Sequence, residues 1–586
     1  MNKAPLSNSI NTKIIAIIIA AGILLIFGIP FTNWWFTGDD FHGIFLGFKT
    51  KTWSDLLYFF NDGHTNQGVG VPGGYVLSRP DFLDAYYRPL YCIYLTLQFW
   101  LFGTNGYGYF LCNVTAHAIA TGLLFYLFSR YVSRWTATLG ALLFALHPQI
   151  AYRFGAVVNF HYYINVVLIL CIALALLHYL DRTKLSAIKF SSFVFPAQAG
   201  IQFALFLALI FYALSLLTRE TTLILPAVVG ILLLARSIAC KISINWQQII
   251  TITSLFSIVA VAFLGIRLWL YPLAKVATNG MLFPYATKGS FIAIKFQEFL
   301  VFFYDLLFVS WLPWGNRVLK VVLLAPMLTL LGYAFIRNRQ KLLVIAFFTC
   351  GILMLWPGII SFYSPRYIYE ALPFFIAGFA TLFVKSNIPI KQYLKLAISI
   401  FIAALGLLTF TSFQAREQKL HTMHQAVVNL CADPQVTHRP LCFLTIPSDG
   451  FGFNPQIFWI IFNNRDYPVY FDLALAMTQQ DSNIVKPGRW FNAVAPYYEK
   501  NYVTVSPITQ GFSFQSSNDK KFIFETTDAQ RSQKLGSLVV LEKNTIGDAT
   551  KIHLTVDDTI WQQHPLFINW NYETKSFDVI GGYIFT

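Results

Sequence analysis

The chain has 586 residues, with 42 Lys and Arg against 27 Asp and Glu, a formal net charge of +15. It is 56% hydrophobic and only 12% charged, whereas an ordinary soluble domain is about a quarter charged. That composition excludes a typical soluble enzyme and a disordered chain, and it argues against a nucleic-acid partner as the reason for the basic balance.

The charge is unevenly placed. Residues 1–413 hold 28 basic and 11 acidic residues, net +17, and residues 414–586 hold 14 and 16, net −2. A shift of this size marks a domain boundary. It predicts a membrane domain over 1–413 and a soluble domain over 414–586. The expected fold class is a polytopic α-helical membrane protein with a C-terminal α+β domain.

Apolar runs long enough to cross a hydrocarbon core about 30 Å thick are candidate spans. Eleven are read, near 14–31, 107–128, 135–152, 163–180, 199–217, 221–235, 247–271, 318–336, 342–361, 367–384 and 393–413. The first follows Lys13 and resembles a secretory leader. The stretch Gly28 to Trp34 lacks the small-x-small cleavage pattern, so it reads as a retained span. Trp34 and Trp35 read as interfacial anchors.

A long loop follows, about 32–106. Loops of that length usually serve a function. It opens Thr37-Gly38-Asp39-Asp40-Phe41-His42 and closes Tyr86-Tyr87-Arg88-Pro89-Leu90-Tyr91. Adjacent carboxylates raise one another's pKa, which suits a general base, and they can hold a divalent cation such as Mg or Mn. The plainer alternative for Asp39 and Asp40 is a solvated loop start or a helix cap. Residues 91–102 suit a short helix lying at the interface.

Further along, His147 ends the third apolar run and His161 precedes the fourth. Each reads as a capping or interfacial residue before a metal ligand, since no HExxH or CxxC spacing supports a zinc site. Residues 296–313, with Glu298 and Asp305, read as an interfacial or re-entrant helix.

Lys and Arg in short loops set orientation. One register gathers Lys3, Lys13, Arg130, Arg134, Arg182, Lys184, Lys189, Arg236, Lys241, Arg337, Arg339, Lys341, Lys385, Lys391 and Lys395 on one side, the cytoplasm. The N-terminus then lies inside and the C-terminal domain outside. Arg88, Arg153, Arg219 and Arg366 fall on the outer side against this bias. Each is either a phosphate ligand, since guanidinium binds phosphate oxygens bidentately, or half of a local ion pair, as Arg219-Glu220 would be.

In the C-terminal part, Leu441–Ile446, Val469–Phe471, Lys521–Glu525, Ser537–Glu542, Lys551–Val556 and Asp578–Phe585 read as strands and Asn454–Asn464 as a helix. Cys431 and Cys442 are its only cysteines. In an oxidising compartment they would form a disulfide; the alternative is two free thiols.

Several of these motifs resemble one superfamily. Asp39-Asp40-Phe41-His42 resembles the Asp-Glu-x-His opening of protein O-mannosyltransferases and the Asp-Asp opening of transmembrane-TPR mannosyltransferases. Tyr87-Arg88-Pro89-Leu90 is similar to the Arg/Lys/His-Pro-Pro/Leu element before their second span. Leu143-Phe144-Ala145-Leu146-His147-Pro148 is similar to Leu-Phe-Ala-x-His-Pro, Thr218-Arg219-Glu220-Thr221 to a Lys-Glu-Thr turn, and Pro365-Arg366-Tyr367 to an Arg-Tyr element before a late span. Together they resemble the GT-C glycosyltransferases that use polyprenyl-phosphate sugars, the superfamily of the O-mannosyltransferases and aminoarabinose transferases. Asp40 stands where the O-mannosyltransferases have Glu, and no tetratricopeptide repeats follow.

The resemblance implies a multi-pass enzyme of a cell's inner (plasma) membrane that moves a sugar from a lipid-linked donor to a glycan, lipid or protein acceptor, inverting the donor linkage. Asp39 would be the base and Asp40 its support or a metal ligand. Arg88 and Arg366, with Tyr87, Arg153, Arg219, Glu220 and Tyr367 nearby, would hold the phosphate, and His42, His147 and His161 would support the site. Competing readings are a lipid-linked glycan flippase, which needs charges along a path through the bundle, a polymerase or ligase using diphosphate-linked donors, and a non-catalytic membrane scaffold.

Overall fold

The computed structural model describes residues 9–36, 40–62, 87–147, 159–186, 195–239, 245–270, 331–338, 340–360, 368–384, 391–443, 457–462, 469–470, 503–508, 511–516, 539–542, 551–556, 564–571 and 574–580, with Ala156 and Thr329. The expected span at 318–336 is described mainly over 331–336, which is helical. Residues 296–313 lie outside the described set.

Among the described residues of the first two-thirds of the chain, apolar sequence becomes helix, because a helix satisfies every backbone polar group within its own segment. The helices are α1 (Ser9–Phe27), α2 (Asp40–Lys49), α3 (Trp53–Asp62), α4 (Pro89–Phe102), α5 (Gly106–Ser129), α6 (Arg134–Ala145), α7 (Phe160–Ser186), α8 (Phe195–Thr218), a 3-10 turn (Glu220–Ile224), α9 (Leu225–Ala239), α10 (Trp246–Leu270), α11 (Lys341–Ile360), α12 (Ile368–Val384) and α13 (Lys391–Cys431). Among the described residues six stretches are long and apolar enough to cross a membrane: Ile10–Phe27, Gly106–Ser129, Phe160–Asp181, Glu220–Ile238, Trp246–Leu270 and Ile398–Cys431. Shorter apolar helices cover Pro89–Phe102, Gln202–Thr218, Lys341–Leu355 and Ile368–Leu382. This is the polytopic helical fold the composition predicts.

The described chain forms two compact units. The first holds α1, α3 to α12 and α13 as far as Arg416; the second holds Asn33–Phe36, α2, α13 from Glu417 and everything after it.

In the first unit α5 is the most buried of the long apolar helices and α1 the least. The outward faces of the bundle carry Ile17, Ile18, Phe203, Ile258, Val261, Trp269 and Leu407, all exposed, as lipid-facing positions should be. Small residues let α1 and α5 approach closely. A Cβ on Gly122 would lie 2.9 Å from the carbonyl oxygen of Ala16 and 3.3 Å from the Ala20 methyl. Gly103 closes α4 with φ at +55°, where its N–H donates to Phe99 O at 2.7 Å; a side chain there would be strained.

The second unit adds a short helix, α14 (Ile457–Ile461), and eight strands: β1 (Leu441–Phe443), β2 (Val469–Tyr470), β3 (Val503–Ile508), β4 (Gly511–Ser516), β5 (Val539–Glu542), β6 (Lys551–Val556), β7 (Leu566–Asn571) and β8 (Ser576–Ile580). One sheet has the order β2-β1-β7-β8, parallel across β2-β1-β7 and antiparallel at β7-β8; the other, β3-β4-β6-β5, is antiparallel throughout. The expected strands over 441–446, 469–471, 537–542, 551–556 and 578–585 have counterparts, while 521–525 lies outside the described residues. Sequence reasoning missed β3, β4 and β7. β3 contains Pro507 and is an edge strand, where a missing donor is tolerated.

Two expectations are corrected here. Trp34 and Trp35 are buried rather than interfacial, and Trp35 stacks on His424 at 5.1 Å between centroids. The pairing of Cys431 with Cys442 is not formed: Cys431 is a free thiol. Cys431 ends a long helix, while Cys442 is registered between Tyr470 and Phe567 in a central strand. Closeness in sequence is therefore not the geometry that a disulfide requires.

Candidate functional site

Among the described residues the ion pairs of the helical unit fall in two groups, at opposite ends of α7. α7 runs from one group to the other. At its end, Asp181 accepts from Arg236 Nη2 at 2.8 Å, and Arg130 Nη1 lies 3.9 Å away. These residues stand at the ends of α5, α7 and α9. The charge pattern places Arg130 and Arg236 together, and the structure brings them together.

The other group gathers where α4, α7 and α12 begin and α8 ends. Arg88 is the residue before α4, whose Pro89 occupies the first helical turn, a position where no backbone donor is lost. Arg88 Nε donates to Glu220 Oε2 at 2.6 Å and Nη2 donates to Glu220 Oε1 at 2.9 Å. This is a bidentate pair, with the two side chains 14% and 17% exposed. Beside it, Tyr87 donates its hydroxyl proton to Phe60 O at 3.0 Å, and burial pushes its phenol pKa upward.

Arg219 takes a different partner. Its Nε lies 3.4 Å from Glu370 Oε1, and both side chains are fully buried. Its guanidinium carbon sits 3.6 Å from the centroid of the Tyr162 ring, a cation–π contact strengthened by desolvation. Glu370 also accepts from Asn165 Nδ2 at 2.6 Å and from Thr221 Oγ1 at 2.9 Å. Ser215 Oγ donates to Asn165 Oδ1 at 2.6 Å. The neighbouring-residue pair Arg219-Glu220 expected from the sequence is therefore corrected. Consecutive residues diverge, and each reaches a charge far along the chain.

An aromatic belt borders this cluster. The His161 ring lies 4.6 Å from Tyr91 and 4.2 Å from Tyr162. Deeper, His117 Nε2 is 3.1 Å from the carbonyl oxygen of Ala145, and Nδ1 is 2.8 Å from Tyr369 Oη. A carbonyl only accepts, so Nε2 carries the proton and Nδ1 accepts from the Tyr369 hydroxyl. That bond fixes the first turn of α12, where Glu370 follows Tyr369.

The remaining expected site residues divide as follows. Asp40 is buried in the first turn of α2 in the second unit, where the helix N-terminus favours a carboxylate. His42 lies in the same helix, with its side chain outside the described residues. His147 is buried after α6. Asp39, Arg153, Arg366 and Tyr367 lie outside the described residues. Among the described residues no group of three or more His, Cys, Asp or Glu gathers as a metal site.

Sequence reasoning missed Glu370, Asn165, Ser215 and the role of Thr221. One signal was available for Glu370: an acid three residues into an apolar helix is costly unless it has work to do.

No protein-family model matches the chain, and no curated protein matches it. Solved structures that resemble its fold include the following two. ArnT from Cupriavidus metallidurans in the apo state aligns with a TM-score of 0.45 at 11% identity over 79% of this chain and 86% of ArnT. The same protein bound to undecaprenyl phosphate aligns with a TM-score of 0.42 at 11% identity over 92% and 97%. Likeness at this level leaves the functional reading to the chain's own residues.

Proposed function

We propose that the chain is an integral-membrane glycosyltransferase of the GT-C type, which moves a sugar from a polyprenyl-phosphate donor to an acceptor hydroxyl on the outer face of a plasma membrane. The observation that carries this reading is the bidentate Arg88–Glu220 pair. It holds a guanidinium in fixed orientation at the helix end where the Tyr-Arg-Pro, Arg-Glu-Thr and Arg-Tyr motifs lie or adjoin. Because Glu220 takes the Nε–Nη2 edge, a phosphate leaving group would be met by the Nη1–Nη2 edge of the planar guanidinium, whose N–H donors match two oxygens at once.

In the proposed step the acceptor oxygen bonds to the anomeric carbon as the bond from that carbon to the phosphate oxygen breaks. The electron pair leaves on the lipid phosphate, and the hydroxyl proton passes to Asp39. Attack from the opposite face inverts the linkage. Arg88, helped by Arg366, stabilises the charge that grows on the phosphate, the kind of preorganised electrostatic help that lowers a barrier. The donor's lipid chain stays in the bilayer at about 0.8 kcal/mol per buried CH₂. A divalent cation would rest on Asp39 and Asp40, and no step is routed through it. The N-terminus lies in the cytoplasm and the C-terminal unit outside, where it would shape acceptor access.

The test is sugar transfer in membranes from undecaprenyl-phosphate-linked donors. Asp39→Asn should remove transfer while the protein still inserts. Arg88→Ala should raise the donor concentration needed for half-maximal rate, with the acceptor requirement unchanged. Full activity in Asp39→Asn sinks the mechanism, and a purely acceptor-side effect of Arg88→Ala sinks the phosphate assignment. Repeating the assay with a chelator decides the cation.

A further inference from the structure

We propose that Glu370 is a positioning residue: it pins both neighbours of Glu220 and thereby fixes the direction in which the Arg88 guanidinium is held. The role of that guanidinium toward a donor phosphate rests on the function proposed above; the anchoring itself does not.

Three consecutive residues carry the argument. Arg219 and Thr221 both turn to one carboxylate, with Arg219 Nε 3.4 Å from Glu370 Oε1 and Thr221 Oγ1 donating to Oε2 at 2.9 Å. Glu220, between them, gives both of its oxygens to Arg88. The backbone here is a five-residue 3-10 turn, Glu220–Ile224, preceded by Arg219, which makes no side-chain cap bond to it. Such turns have poor hydrogen-bond geometry and little stiffness of their own. Side-chain ties on either side of Glu220 are therefore what hold it in one orientation.

The anchor is itself held rigidly. Glu370 is fully buried and accepts from Asn165, which is oriented by Ser215. Its chain neighbour Tyr369 donates to His117. Tyr162 covers the far face of Arg219. Residues of α5, α7, α8 and α12 thus form one network around this carboxylate, which bonds Asn165 and Thr221 directly and lies against Arg219.

The experiment uses the full-length protein and two variants, Thr221→Val, which is nearly isosteric, and Glu370→Gln, which keeps the acceptor oxygen. The first readout needs no enzymatic activity. Reaction of Arg88 with an arginine-selective dicarbonyl, followed by mass spectrometry in detergent, should quicken about twofold to tenfold in both variants, the scale of one ordinary net hydrogen bond. The second readout is transfer kinetics. Thr221→Val should raise the donor KM with little change in kcat or acceptor KM, and the effect should shrink in an Arg88→Lys background, because coupled residues are not additive.

Unchanged Arg88 reactivity in a folded Thr221→Val protein overturns the proposal. So does an equal loss of activity in the Arg88 and Arg88→Lys backgrounds, which is the signature of a purely structural Glu370. If the parent protein transfers no sugar while Arg88 reactivity rises in the variants, the donor function fails and the anchor stands.

Discussion

At the scale of single residues the helical unit keeps two cations and two anions out of water by sharing partners closely. Breaking a buried pair by removing one member costs about 3–5 kcal/mol, because the other charge is stranded. Arg219→Met should therefore destabilise the detergent-solubilised protein by that order. Arg219→Met with Glu370→Met should cost clearly less than the two single changes combined, since neither charge then remains. It should not reach neutrality, because Asn165 and Thr221 lose their acceptor as well. Thermal or denaturant unfolding of the four proteins measures this, and full additivity would show that the two residues do not interact. The sequence displayed Arg219 and Glu220 as adjacent opposite charges, and adjacency was misleading. Neighbouring residues diverge at a turn, and the true partners, 132 residues apart for Arg88 and Glu220, have no local pattern to reveal them. Glu370 was visible as an acid in apolar surroundings, but its partners were not.

At the scale of elements, most helices were legible because apolar length is the requirement for crossing a bilayer. Their limits were less so. Composition changes near residue 413, yet α13 runs on to Cys431. Leu420, Met423, Val427 and Leu430 stay buried along one face. Charge content reports the surrounding solvent, whereas helix continuity depends on that spacing of three and four residues. The short helix α3 shows a local device that composition hides. Thr52 Oγ1 accepts from the Asp55 N–H at 3.3 Å, and Asp55 Oδ2 accepts from the N–H groups of Thr52 and Lys51, each at 2.8 Å. This is a capping box. The backbone bonds from Thr52 and Lys51 hold the Asp55 carboxyl below its ordinary pKa. A lowered pKa means the cap is complete above the ordinary carboxylate value and is lost as pH falls through the lowered one. Hydrogen exchange in α3, corrected for its intrinsic pH dependence, should therefore quicken in the parent as pH falls below the ordinary carboxylate range. In Asp55→Ala it should be fast throughout. A parent profile with no acid limb would exclude the cap.

At the scale of the whole molecule the expected topology makes the +15 chiefly a matter of sidedness. The basic residues expected in the cytoplasm include Arg130 and Arg236, which share Asp181 at one end of the helices, while Arg88 and Arg219 collect at the other. The expected orientation puts the first set inside. Topology reporters fused after Arg236 and after Arg339 should both signal cytoplasm. An exported signal after Arg339 would add a span near 296–313 and reverse everything that follows. The C-terminal strands were legible where Val, Ile and Phe alternate, as in β6, and less so at β3, where a proline interrupts the pattern at a sheet edge.

The two long-range pairs also set a schedule for the protein's birth. Arg88 leaves the ribosome 132 residues before Glu220, and Thr221 leaves it 149 residues before Glu370. At ordinary rates of synthesis each wait lasts on the order of 10 s. During the first, a guanidinium destined to be largely buried must be kept hydrated or borrowed by lipid phosphate. During the second, Arg219 has no Glu370 to meet. A nascent chain arrested before Ile368 therefore lacks the one acceptor that Arg219, Asn165 and Thr221 share in the finished bundle.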